Sequence, residues 1–213
     1  MPRTSLAAAV QEVAARDPVM GAFIGQAGPM ELRASRGLDV FTALAASIVY
    51  QQLAGKAAAA IHARFLSLFD GKPTARAALD MPLDRLRSAG LSGSKAVAIA
   101  DLAAKVVDGT VPRDGWAKLS DDEIVERLVQ VRGIGRWTAE MFLIFDLRRL
   151  DVWPADDYGV RKGHARIYAL HEALKPKALE AEGDRFRPFR TVAAWYCWRA
   201  MDGPFPVQQP ESP

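Results

Sequence analysis

Three residues, Gly133-Ile134-Gly135, separate two runs of apolar residues at helical spacing, and this short link constrains the fold more than any other feature of the chain. Ile124, Leu128 and Val131 mark the first run; Trp137, Met141, Ile144 and Phe145 mark the second. Two helices joined so briefly must cross closely, and glycine permits both the positive φ and the close backbone approach of such a corner. The N–H groups of Gly133, Gly135 and Arg136 would then point outward at the start of the second helix, where oriented amides form a phosphate site. Arg132 and Arg136 flank the turn with the charge that a backbone contact without sequence preference uses. Glycines placed for sterics alone would spell the same corner, so the turn by itself leaves both readings open.

Helical spacing also dominates elsewhere. Ser120 and Glu123 form a capping-box pattern that starts the first hairpin helix at Asp121. Thr4 or Ser5 caps a helix ending near Arg16, and a polar, glycine-containing link runs from Gly25 to Gly37. Phe41, Leu44, Ile48 and Leu53 fall on one helical face; Gly55 breaks this helix, and an alanine-rich one follows from Lys56 to Phe69. Thr74 and Pro82 open two short segments. Ser92 or Ser94 caps a helix whose Ile99, Leu102, Ala103 and Val106 form one apolar stripe. Asp156 or Asp157 caps another helix reaching about Leu174, and Phe189 to Met201 form the last. No run shows the period-two alternation of a strand. The expected class is all-α, with about nine or ten helices, over residues 1–203, followed by a flexible tail at 204–213.

Composition narrows the function classes. A chain of 213 residues supports one good-sized core or two small lobes. The net charge of +3 and the pI near 9.1 favour an acidic partner mildly. Cys197 is the only cysteine, which excludes intramolecular disulfides and cysteine-ligated zinc or iron–sulfur clusters. His62, His164 and His171 lack metal-ligand spacing and read as packing or surface residues. The N-terminus reads as a charged amphipathic helix rather than a signal peptide, and no apolar run approaches the ~20 residues of a membrane helix. No membrane association is expected, and the expected location is the cytoplasm.

The glycine hairpin, the pair Asp156-Asp157 whose second member lies 22 positions after Gly135, the segment "SIVYQQLAGKAA" (Ser47 to Ala58) and "WYCWR" (Trp195 to Arg199) together resemble the helix-hairpin-helix DNA glycosylase superfamily. The likeness is greatest to the 3-methyladenine DNA glycosylase II type and covers about Phe41 to Arg199. It implies two helical lobes, a hairpin at about 120–148, and an active site in the cleft between the lobes. It also implies a monofunctional enzyme, working as a monomer, that hydrolyses the N-glycosidic bond of alkylated purines flipped out of damaged duplex DNA. The chain departs from the pattern at Arg132, where the family usually has proline. The roughly 40 residues before Phe41 are also too few for the N-terminal mixed α/β domain of full-length bacterial relatives.

The resemblance assigns the catalytic role to Asp157 and leaves Asp156 as cap or auxiliary group. A carboxylate beside helix N-terminal amides favours its charged form, which suits the oxocarbenium character that a sugar acquires as its base departs. Trp137 and Trp198 match positions lining the family's base pocket, and Met141 falls where some relatives have tyrosine. Trp195 and Tyr196 read as packing residues. Relatives that also nick the strand carry a lysine where this chain has Trp137, and no lysine lies between Lys118 and Lys162. Gln51, Gln52 and Leu53 match the segment that fills the hole left by the flipped nucleotide; Gln52 aligns with the wedge position, and Leu53 is the apolar alternative. Ser94 and Lys95 offer a second phosphate contact or a plain surface cap. No organic cofactor is implied, but a structural Na+ or K+ on the carbonyls of Val129, Val131 and Ile134 is. Two rival readings are a glycosylase for oxidised or deaminated bases and a DNA-binding module without catalysis.

Overall fold

The computed structural model describes residues 4–32 and 39–203. Among them there are twelve α-helices and no strand. The first six are α1 (Leu6–Arg16), α2 (Pro18–Ala27), α3 (Val40–Tyr50), α4 (Gly55–Ser67), α5 (Ala75–Leu79) and α6 (Leu83–Ser88). Then follow α7 (Gly93–Val107), α8 (Asp121–Leu128), α9 (Arg136–Phe145), α10 (Tyr158–Ile167), α11 (Pro176–Gly183) and α12 (Arg190–Met201). The chain divides into two compact units, one of Met1–Ala34 with Arg148–Pro213 and one of Ser35–Leu147. The expected tail at 204–213 and the 33–37 portion of the Gly25–Gly37 link lie outside the described residues.

The all-α expectation holds, but two helices were hidden from the sequence reading. Both α2 and α11 begin with proline, at the one helical position where its missing N–H costs nothing. Helix α2 runs through Gly25 to Ala27, so the expected link starts only at Gly28, whose φ is 81°. The helix expected to reach Leu174 stops at Ile167. Leu53 lies outside α3, which ends at Tyr50, and therefore does not share its face.

In the Ser35–Leu147 unit, α3 is buried along most of its length, and α7 supplies the expected stripe of Ile99, Leu102, Ala103 and Val106. Ile124, Leu128 and Val131 are buried beneath the hairpin as the spacing predicts. Helix α9 buries Ala139, Phe142, Leu143 and Ile144 and leaves Trp137, in its first turn, 45 % exposed.

The other unit is organised by α10 crossing α12. A Cβ at Gly163 would lie 1.8 Å from the Cys197 carbonyl oxygen, so only glycine lets these backbones touch. Tyr196 is fully buried and its hydroxyl donates to the Gly28 carbonyl at 2.9 Å. Cys197 is fully buried too; burial, and secondarily the Asp157 charge, pushes its thiol well above the usual range. His164 is 2 % exposed and stacks on Tyr168 with centroids 4.4 Å apart. Asp17 caps α2 through the Met20 N–H and pairs with Arg185 at 3.2 Å.

Burial, and then the Arg185 cation, lowers the His164 pKa from 6.5 to about 4, against the opposing pull of Asp17. A base depressed in the folded state binds its proton more readily unfolded, so stability declines as pH drops from near 6.5 towards 4. The full effect is at most about 3 kcal/mol. Thermal melts should show a falling Tm over this range, and His164→Leu should flatten part of the fall. An unchanged slope in the variant would place the titrating groups elsewhere.

Candidate active site

The hairpin turn begins at the end of α8, which opens with the expected reciprocal Ser120–Glu123 capping box. Ile134 donates its N–H to the Val131 carbonyl at 3.0 Å, tightening the corner. The two glycines have different jobs. Gly133 needs glycine's freedom, with φ of 81° and room for a Cβ only 3.2 Å from that of Ala98. Gly135 has an ordinary φ of −93° and serves as the N-cap of α9 without any side-chain cap, which leaves the amide end of that helix uncovered by residue 135. Anions bind readily at such an end.

The corner is pinned from beneath. Arg132 donates its backbone N–H to Asp101 Oδ2 at 2.7 Å, and Lys105 pairs with Asp101 at 2.9 Å. Burial would raise the Asp101 pKa, but the Arg132 N–H and the Lys105 cation together bring it below the usual value. The side chain of Arg132 extends into solvent, and Arg136 is 60 % exposed while its Nε holds the buried Glu140 at 3.0 Å.

The segment after α3 separates its two glutamines. Gln51 turns inward, its Nε2 donating to the Gly133 carbonyl at 3.0 Å and to Thr138 Oγ1 at 3.4 Å. Gln52 is exposed and adopts φ of 54°, a left-handed conformation uncommon outside glycine. Leu53 is exposed beside it. Ser92, not Ser94, caps α7; Ser94 Oγ lies 2.9 Å from Ser92 Oγ. Lys95 sends its ammonium to the carbonyls of Val49 and Gln51.

Two cavities adjoin this segment. One, of about 550 Å³, is lined by Ser47, Tyr50, Gln51, Gln52, Trp137 and Met141 among others, within the size range of ligand pockets. Trp137 and Met141, one helical turn apart, present one face of α9 to it. Tyr50, Ser47 and Thr138 were not foreseen; the aromatic in "YQQ", one helical turn after Ser47, was the available signal. The other cavity, of about 430 Å³, brings Gln52, Leu53, Ser94 and Lys95 together with Gly133.

In the other unit, Asp157 is itself the N-cap of α10, its Oδ1 accepting the Val160 N–H at 2.8 Å. Of the two candidate caps it is Asp157 that closes the helix end, and Asp156 is exposed in the preceding turn. The same Oδ1 accepts the Trp198 indole N–H at 2.7 Å, so Trp198 meets the carboxylate with the edge of its ring. Gly159 makes room for this contact: a Cβ there would lie 2.7 Å from Trp198 Cδ1 and 3.1 Å from Asp157 Oδ1.

The family of HhH-GPD superfamily base excision DNA repair proteins matches residues 45–188. The chain belongs to this family. DNA-3-methyladenine glycosylase 1 of Schizosaccharomyces pombe is 37% identical over 164 residues, covering 76% of this chain and 72% of that protein. The DNA-3-methyladenine glycosylase of Saccharomyces cerevisiae is 32% identical over 77% of this chain, but only 58% of its own length is matched. Among solved structures, the Schizosaccharomyces pombe 3-methyladenine DNA glycosylase in complex with abasic DNA superposes with a TM-score of 0.78 and 34% identity, covering 90% of this chain and 95% of that one. A DNA-3-methyladenine glycosidase from Bacillus halodurans gives a TM-score of 0.84 and 33% identity, covering 91% and 89%.

For an HhH-GPD protein, the geometry at Gly133 makes a direct prediction. Gly133→Val forces a β-branched residue into positive φ against Ala98 and should weaken binding to damaged and undamaged duplexes alike, by about tenfold or more. The slope of log affinity against log salt should become shallower. Titrations at several salt concentrations check this; selective loss of damaged-DNA binding alone would contradict it.

Proposed function

We propose that this chain releases alkylated purines from duplex DNA by hydrolysing the N-glycosidic bond, with Asp157 as the essential carboxylate. The observation that carries the reading is the fixed setting of Asp157 at the N-terminus of α10, bonded to the Val160 N–H and the Trp198 indole. As the purine departs, positive charge develops on the sugar. A negative charge held in place, needing no reorganisation at that moment, stabilises it and orients the attacking water. Water adds at the sugar's C1′, the C–N bond electrons leave with the base, and a proton is lost from the water.

The cavity beside α9 suits the released group. Trp137 and Tyr50 offer π surface and Met141 a polarisable thioether, a setting for planar, electron-poor or cationic purines. Trp137 stands where an amine nucleophile would be needed for strand nicking, and residues 119–161 contain no lysine. The amide end of α9, with Arg132 and Arg136, is assigned to a DNA phosphate. Gln52 and Leu53 are assigned to the hole left by the flipped nucleotide. The carbonyls of Val129, the C-cap of α8, and of Val131 and Ile134 in the turn that follows are neutral oxygen donors of the kind that replace water around Na+ or K+. Such an ion would brace the turn and add positive charge near the phosphate.

A release assay on methylated duplex DNA tests the proposal. Wild type should free 3-methyladenine or 7-methylguanine, and binding without release would reduce the chain to a DNA-binding module. Asp157→Asn should lower kcat by at least about a hundredfold with duplex affinity nearly unchanged; near-wild-type turnover would move the chemistry elsewhere. Borohydride should trap no covalent adduct with DNA. Gly159→Ala should displace the indole from Asp157 and cost about tenfold in kcat, whereas full activity would show that the Trp198 contact is dispensable.

A further inference from the structure

Lys95 lies in the first turn of α7, where the helix dipole disfavours a cation. Its ammonium reaches across to the end of α3, donating to the carbonyl oxygens of Val49 at 2.7 Å and Gln51 at 2.8 Å. Terminal carbonyls of a helix lack intrahelical partners, and a cation there meets the negative end of the dipole. Immediately beyond stand Gln52, in its left-handed conformation, and exposed Leu53. The turn is not capped from its far side: Ala54, the N-cap of α4, supplies no side-chain bond. What holds it are the Lys95 bonds to α7 and the bonds from Gln51 to Gly133 and Thr138 of the hairpin.

We propose that Lys95 is a positioning residue for the duplex-inserting turn, its two carbonyl bonds holding Gln52 and Leu53 pre-set to fill the hole left by a flipped nucleotide. The proposal rests on the reading of the chain as a base-flipping glycosylase. It replaces the phosphate contact that Lys95 suggests in sequence. An ammonium has three N–H donors, and two of them are given to carbonyls of its own chain. A turn fixed before it meets DNA loses less conformational freedom on insertion, so the effect falls on flipping and turnover rather than on duplex affinity.

The test compares wild type, Lys95→Met and Lys95→Arg on two substrates: a duplex with 2-aminopurine beside an abasic-site analogue, and a methylated duplex. Lys95→Met should keep duplex affinity within about twofold, with an unchanged salt slope, because no phosphate contact is lost. It should lower both the 2-aminopurine fluorescence rise and kcat for base release by about tenfold. Lys95→Arg, whose guanidinium can donate to both carbonyls, should recover most of each. If Lys95→Met fails to fold, Lys95→Gln, with a shorter neutral donor, is read in its place. Unaltered fluorescence and kcat would overturn the proposal. So would a salt slope reduced by about one together with a matching loss of affinity, the mark of a phosphate contact. A wild-type fluorescence rise without base release would instead overturn the glycosylase reading and leave the positioning role intact.

Discussion

The crossing of α10 over α12 at Gly163 is the constraint on which the setting of the Asp157 carboxylate depends. With no Cβ in the way, the backbone of α10 rests against the Cys197 carbonyl, one residue before Trp198. That contact fixes the start of α10 relative to the indole, and the Trp198 N–H reaches Asp157 as a consequence. Gly159 repeats the device one turn earlier, where the indole itself needs the space. Two glycines in a ten-residue helix weaken its intrinsic propensity, but here they set the distance between a carboxylate and its hydrogen-bond donor.

The hairpin unit uses the same economy differently. Gly133 is required by its backbone angle, while Gly135 matters for the cap it does not provide. Of two adjacent glutamines, Gln51 links the α3 terminus to the hairpin and Gln52 is left exposed at the turn. A single peptide bond thus separates an internal fastener from a surface group. The Asp101 carboxylate, bonded to the Arg132 N–H and to Lys105, ties the corner down to α7, so an arginine in the position of the usual proline still enters a well-held turn.

How much of this was legible depended on whether the signal was local. The capping box at Ser120, the stripe on α7 and the hairpin glycines are readable because spacing alone determines them. The aspartate pair at the start of α10 was also readable, although its capping role stayed open between Asp156 and Asp157. The choice between adjacent caps depends on where the first helical N–H groups point, which the letters do not specify. Helices α2 and α11 escaped because a leading proline reads as a break. Lys95 and Gln51 were singled out as DNA contacts, but their bonds within the chain escaped for a deeper reason. Their partners are 44 or more and 82 or more residues away, respectively, so no window along the chain contains the interaction.

The burial of Cys197 has a consequence for a protein of this kind. Electrophiles that methylate purines also methylate sulfur, and the reactive form of cysteine is the thiolate. Packed against α10, the chain's one thiol is shut away from solvent and held far from ionisation, partly by the neighbouring charge of Asp157. The tight helix crossing that aligns the carboxylate therefore also leaves the protein without a ready nucleophilic thiolate. A repair enzyme built this way can stay intact under the chemical exposure that creates its substrate.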